Sequence, residues 1–124
     1  MTVEKITREE VEDLARQAAV VLPEKVRHYA ALIGVTYAHI TIRNQQSLWA
    51  SCSPNGNLSF NCILMKTPES IQDYVVVHEL CHRLEMNHSK AFWAHVAKVI
   101  PDYKRCRKWL NTEGVSLIES MKGL

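Results

Sequence analysis

Apolar residues recur three and four positions apart at Val11, Leu14, Ala15, Ala18 and Leu22, the spacing that lines one face of a helix. Thr7, with Glu10 three residues later, reads as a capping box ahead of that stripe, so a first helix is predicted over about residues 7–22. Pro23 suits a first helical position, and Val26, Tyr29, Ala30 and Ile33 form a further stripe closed by Gly34. This predicts a second helix or a kinked continuation of the first.

The pattern then changes. No acidic residue occurs between Glu24 and Glu69, and β-branched residues gather between Val35 and Arg43. Asn55-Gly56 separates two alternating segments, a hairpin signal that calls for turn residues at positive φ. Leu58, Phe60, Cys62 and Leu64 fall on one face of the second arm, with Ser59 and Asn61 on the other. Strands are predicted at about 35–43, 47–53 and 57–64, in a short, mostly antiparallel sheet. After Pro68, helical spacing returns with Ile71, Tyr74, Val75, His78 and His82 on one face. Ser89 is a suitable N-cap for a further helix, and Pro101 separates it from a short last helix with Tyr103, Cys106 and Leu110 on one stripe.

The chain has 124 residues, 47% hydrophobic and 23% charged, which suits one domain with its own core, 1–124, and excludes disordered and low-complexity classes. A net charge of +2 is too small to point to a polyanionic partner. No apolar run is long enough to span a bilayer, and the N-terminal segment lacks the apolar stretch of a signal peptide, so a cytoplasmic protein without membrane association is expected. Cys52, Cys62, Cys81 and Cys106 contain no CxxC pair and are read as reduced core residues.

The chemistry lies in His78-Glu79-Leu80-Cys81-His82, an HExxH pattern on a predicted helix. At 100° and 1.5 Å per residue, the two histidines sit about 40° apart in azimuth and ~6 Å apart along the axis, so their imidazoles can share one metal. Glu79 is rotated about 100° from His78, beside the metal and out of its ligand shell, where it can deprotonate a bound water. Catalytic zinc usually takes three protein ligands and keeps one position open. For the third, Asn87 tolerates the left-handed conformation that reverses a chain, which would swing His88 back to the metal. Glu85 is a second candidate, but on a continuing helix it lies ~10 Å beyond His78.

The segment Val75-Val76-Val77-His78-Glu79-Leu80-Cys81-His82, with Asn87-His88-Ser89, Phe92-Trp93 and Pro101-Asp102-Tyr103, closely resembles the YgjP-like metallopeptidases, relatives of the SprT-like and WLM zinc proteases. Ile42-Arg43-Asn44-Gln45, Trp49 to Cys52 and Asn57 to Asn61 resemble the segment preceding that family's metal helix; in all, the resemblance covers about residues 22–110. It implies a peptide-hydrolysing zinc enzyme with His78, His82 and His88 as ligands of one Zn²⁺ and Glu79 as general base. It also implies a peptide substrate that adds to an exposed sheet edge near the metal. Where the family reads Arg-Trp-Gly-Ser-Cys, this chain has Leu48-Trp49-Ala50-Ser51-Cys52, a difference that bears on substrate choice and leaves the metal motif intact.

The expected fold is therefore α+β: a small zincin-like domain with N-terminal helices, a short sheet, a metal-binding helix and a C-terminal helical tail. The expected function is zinc-dependent peptide hydrolysis through a zinc-activated water with Glu79 as base. The rivals are a non-catalytic zinc-containing module associated with peptide or DNA, and a zinc amidase acting on a non-peptide substrate. His95 is read as a surface or supporting residue, and His28 and His39 carry no partner signal. Lys104, Arg105, Arg107 and Lys108 form a basic run that reads as a solvated helix face in preference to a nucleic-acid site. Arg43, Trp49 and Tyr103 are candidates to stabilise an oxyanion.

Overall fold

Helix α1 (Arg8–Ile33) begins as the capping box requires, with the Thr7 hydroxyl accepting from the Glu10 N–H at 3.1 Å. It ends at Gly34, whose φ of 86° lets its N–H close on the Ala30 carbonyl. The computed structural model describes residues 5–44 and 48–122, so Ser47 of the expected second strand and Gln45 of the segment that resembles the family lie outside the described residues. Pro23 does not split the helix. It forfeits one backbone bond, but the buried stripe Val11, Leu14, Ala18, Leu22, Val26 and Ala30 runs straight past it, and packing holds the two halves as one element.

Strand β1 (Ile40–Arg43) leads to β2 (Ala50–Cys52) and β3 (Leu58–Asn61), which lie in the order β1-β3-β2. The sheet is mixed where a mostly antiparallel one was expected: β3 inserts between its predecessors, antiparallel to β2 and parallel to β1. Alternation within each strand carries no information about that insertion. The β2–β3 hairpin also turns differently from a two-residue Asn-Gly turn. Gly56 alone takes positive φ, at 86°, and its N–H donates to the Ser53 carbonyl, while Ser53 N–H pairs with the Asn57 carbonyl. Pro54, Asn55 and Gly56 thus form a three-residue loop of the kind in which only the last residue is left-handed.

β3 is shorter than its alternating pattern suggested. Asn61, expected on the polar face, is buried and ends the strand: its Oδ1 accepts from Ile63 N–H and its Nδ2 donates to the Leu48 carbonyl. Cys62, Ile63 and Leu64 then enter a 3₁₀ turn (Cys62–Lys66), which buries all three together. The Gln72 amide, also buried, donates to the Leu64 and Thr67 carbonyls and secures the start of α2 (Glu69–Cys81) beneath that turn.

Helix α2 is buried on most of its circumference, with Val75, Val76, Val77, Leu80 and Cys81 at or near zero exposure, as befits a central helix. Lys25 of α1 reaches Asp73 at 2.7 Å and Glu69 at 3.1 Å. Burial opposes the Lys25 charge, but its hydrogen bonds to both carboxylates prevail and its pKa is raised. Beyond α2 come α3 (Lys90–Val99), capped by the Ser89 hydroxyl, then α4 (Tyr103–Asn111) and α5 (Glu113–Glu119). The tail is therefore two helices instead of one. Ile6 N–H donates to the Ser120 carbonyl, which joins the two ends of the described chain. The architecture is α+β, and none of its helices among the described residues is long and apolar enough to cross a membrane.

Candidate metal centre

His78 lies in the last turn of α2 and His82 is its C-cap, so the helix ends at the second histidine. Tightened turns follow: Arg83 N–H donates to the Leu80 carbonyl, and Leu84 and Glu85 N–H both donate to the Cys81 carbonyl. The reversal thus begins at once, without a left-handed Asn87, since no described residue other than glycine has positive φ. Arg83 anchors it. Its Nε donates to the Thr36 carbonyl at 2.9 Å and its Nη1 to the Pro54 carbonyl at 2.7 Å, which ties the end of α2 to the entry of β1 and the hairpin loop.

This turn returns His88 to α2, with its Nε2 3.3 Å from Nε2 of His78. Two nitrogens 2.0–2.1 Å from a tetrahedral zinc are about 3.3–3.4 Å apart, so this spacing is that of two ligands sharing one ion. The ligand nitrogens of His78, His82 and His88 all lie within 4.8 Å of one another, and among the described residues they form the one group of three or more metal-ligating side chains. The other ring nitrogens of His78 and His82 are engaged from outside the cluster. His82 Nδ1 lies 3.1 Å from the Glu85 carbonyl and must donate to it, leaving Nε2 unprotonated and able to ligate. His78 Nδ1 meets the Tyr74 hydroxyl at 3.2 Å. Glu85 therefore serves this centre with its backbone, and its carboxylate does not join the cluster.

Apolar surroundings favour the neutral imidazoles that bind metal. Phe92 is fully buried with its ring 4.6–5.0 Å from all three histidine rings, and Trp93 packs beside His78 and His88. Burial first, then His82, His88 and Arg107, push His78 down to about 3; burial also lowers His82. Burial alone pushes Glu79 up to about 8. The three-imidazole set suits Zn²⁺, Ni²⁺ and Cu²⁺.

Glu79 is 7% exposed and borders two clefts on either side of the helix end. One, of about 310 Å³, contains all three histidines with Ala50, Ser51 and Cys52 of β2. The other, of about 240 Å³, is lined by Leu48, Trp49 and Ala50 together with Tyr74, Val75 and Leu110. β2 is the sheet edge facing the centre, the placement that strand addition by a peptide requires.

Of the candidate oxyanion residues, Trp49 borders the smaller cleft, whereas Arg43 lies on β1, beyond β3 from both clefts, and donates to the Ser59 hydroxyl. Tyr103 stacks on Trp93 at 5.1 Å, and the Arg107 guanidinium lies 4.4 Å from the same ring. Cys62, Cys81 and Cys106 are core residues as expected, but half-buried Cys52 borders the metal cleft; all four thiols are free. His95 lines a separate cavity with Leu32, Leu84 and Lys98, while His28 and His39 are exposed. Tyr74 and Arg83 were not singled out as site residues. Tyr74 had a signal in its spacing, four residues before His78 on the same face, whereas Arg83 acts across 47 residues and had none.

The chain belongs to the YgjP-like metallopeptidase domain family, whose model matches residues 3–113, and it is accordingly a metallopeptidase. Its fold is similar to two solved metallopeptidase zymogens. Abylysin of Pyrococcus abyssi is 23% identical with a TM-score of 0.66 over 75% of this chain and 96% of that one. Jannalysin of Methanocaldococcus jannaschii is 17% identical with a TM-score of 0.65 over 74% and 95%. No curated protein matches the chain.

Proposed function

We propose that this protein is a zinc metallopeptidase of one domain, with one Zn²⁺ held by His78, His82 and His88 and with Glu79 as general base. The observation that carries this reading is the convergence of three imidazoles beside a buried carboxylate that stays outside their cluster and borders the same cleft. When bound, zinc supplies Lewis-acid polarisation of a carbonyl and lowers the pKa of water toward ~7.

The chain's own residues do the rest. The β2 edge aligns an extended peptide across the cleft through backbone hydrogen bonds. Glu79 accepts a proton from the attacking water and delivers it to the leaving amine. Tyr74 and the Glu85 carbonyl hold His78 and His82 in their ligating orientation. A purely structural metal site has no need of such a base.

A peptide or protein is the partner this reading requires. Arg105 is paired with Asp102 and Arg107 is stacked on Trp93, so half of the basic run is already engaged and no nucleic-acid role is assigned to it. Four unpaired thiols fit a reducing, cytoplasmic compartment. The test is Glu79→Gln, which should keep the metal and lose ~10²- to 10⁴-fold in peptide cleavage; cleavage within a few-fold of wild type at equal occupancy would refute it.

A further inference from the structure

We infer that the smaller cleft is a specificity pocket that takes a large apolar side chain, aliphatic or aromatic, from the residue next to the scissile bond. The inference rests on the metallopeptidase reading above and adds the class of substrate to it. The cleft of about 240 Å³ has exposed Leu48, half-buried Trp49 and Leu110, and buried Val75 along its walls, and it shares His78 and Glu79 with the metal cleft. A side chain entering it is thus one residue's reach from the carboxylate that handles the proton. A cavity of ~150 Å³ lined by apolar side chains accommodates benzene, so this one has room for Phe, Leu or Met.

The chemistry of the lining favours an apolar occupant. It contains no Lys or Arg to pair with an acidic side chain, and Leu48, Trp49, Ala50, Val75 and Leu110 offer a long charged side chain no partner over most of its length. The pocket is also built from distant parts of the chain. Gly114 of α5 lies against Trp49 so closely that a Cβ there would come 2.9 Å from Trp49 Cζ2, with Leu110 Cδ2 at 3.5 Å. The absent side chain lets α5 pack closely on Trp49 beside Leu110, and both of these side chains line the cleft.

The test is cleavage of a peptide library with every residue type at the positions flanking the cut, by wild type, Leu48→Asp and Glu79→Gln. Leu48 is 53% exposed, so its replacement should leave folding intact. The wild type should prefer Phe, Leu or Met over Ala at one flanking position by on the order of 10²-fold in kcat/KM. Leu48→Asp should erase most of that preference and raise the relative rate for Lys, a gain that a merely damaged protein would not show. Cleavage abolished by Glu79→Gln but without an apolar preference, or with one that Leu48→Asp leaves unchanged, overturns the pocket and spares the metallopeptidase reading. If nothing is cleaved, N-acetyl amino-acid amides titrated into the protein and followed by NMR at Ala50, Val75 and Leu110 decide the matter. Saturable shifts with the Phe and not the Ala derivative, lost in Leu48→Asp, support the pocket; equal or absent shifts overturn it.

Discussion

His82 Nδ1 lies 3.1 Å from the carbonyl oxygen of Glu85, three residues on, so the turn that ends α2 is also the device that orients the second histidine. The bond uses the Glu85 backbone and leaves its carboxylate idle. Glu85→Gln should therefore retain metal at wild-type occupancy, while His88→Ala should lose it. Elemental analysis after dialysis against a weak chelator distinguishes them; the reverse pattern would make Glu85 the third ligand.

Tyr74 supports His78 from the same helix face. Removing the hydroxyl with Tyr74→Phe keeps the ring and the packing, so folding should be unaffected while metal affinity falls by roughly 10- to 100-fold. Competition with a chromogenic chelator measures the loss.

Arg83 clamps the end of α2 to the Thr36 and Pro54 carbonyls. Arg83→Ala should cost about 1–3 kcal/mol of stability, read from urea denaturation, because two charge-assisted hydrogen bonds are lost together. A change below ~0.5 kcal/mol would mean that the turn holds without the clamp.

Little of this support was legible beforehand. The HExxH spacing defined His78, Glu79 and His82 because it depends only on helical geometry, and the capping box at Thr7 depends only on neighbours in sequence. Tertiary contacts decided the rest. The buried stripe that continues from Leu22 to Val26 carries α1 through Pro23, where local propensity predicts a break or kink. Asn61 looked polar-facing from alternation, yet its amide serves buried backbone groups at the strand end. Parallel pairing of β1 with β3 is set by which strand inserts between the others, and no local pattern encodes it. His88 comes to lie with its Nε2 3.3 Å from Nε2 of His78, but the turn that brings it there runs from Leu80 to Glu85 and not through a left-handed Asn87.

The pKa shifts give the metal-free protein a distinctive pH dependence. His78 falls from 6.5 to about 3 and His82 is lowered as well, so below pH 6.5 the folded chain binds fewer protons than the unfolded one and acid destabilises it. Glu79 rises from 4.5 to about 8, so between those values the folded chain binds more protons and increasing pH destabilises it. From pH 4.5 to 6.5 the effects oppose; above 6.5 Glu79 acts without the histidines. Urea midpoints should therefore decline from pH 6.5 to 8 in wild type and stay level there in Glu79→Gln. His78→Ala should flatten the acid limb.

The most direct measurement is anomalous diffraction at the zinc edge from crystals of the zinc-loaded protein. The account predicts a single zinc peak bonded at about 2.0–2.1 Å to Nε2 of His78, His82 and His88, with a remaining position open to the β2 cleft and Glu79 beside the ion but unbonded. A peak held by Glu85 or Glu79, or a fourth protein ligand such as Cys52 closing the site, would contradict it.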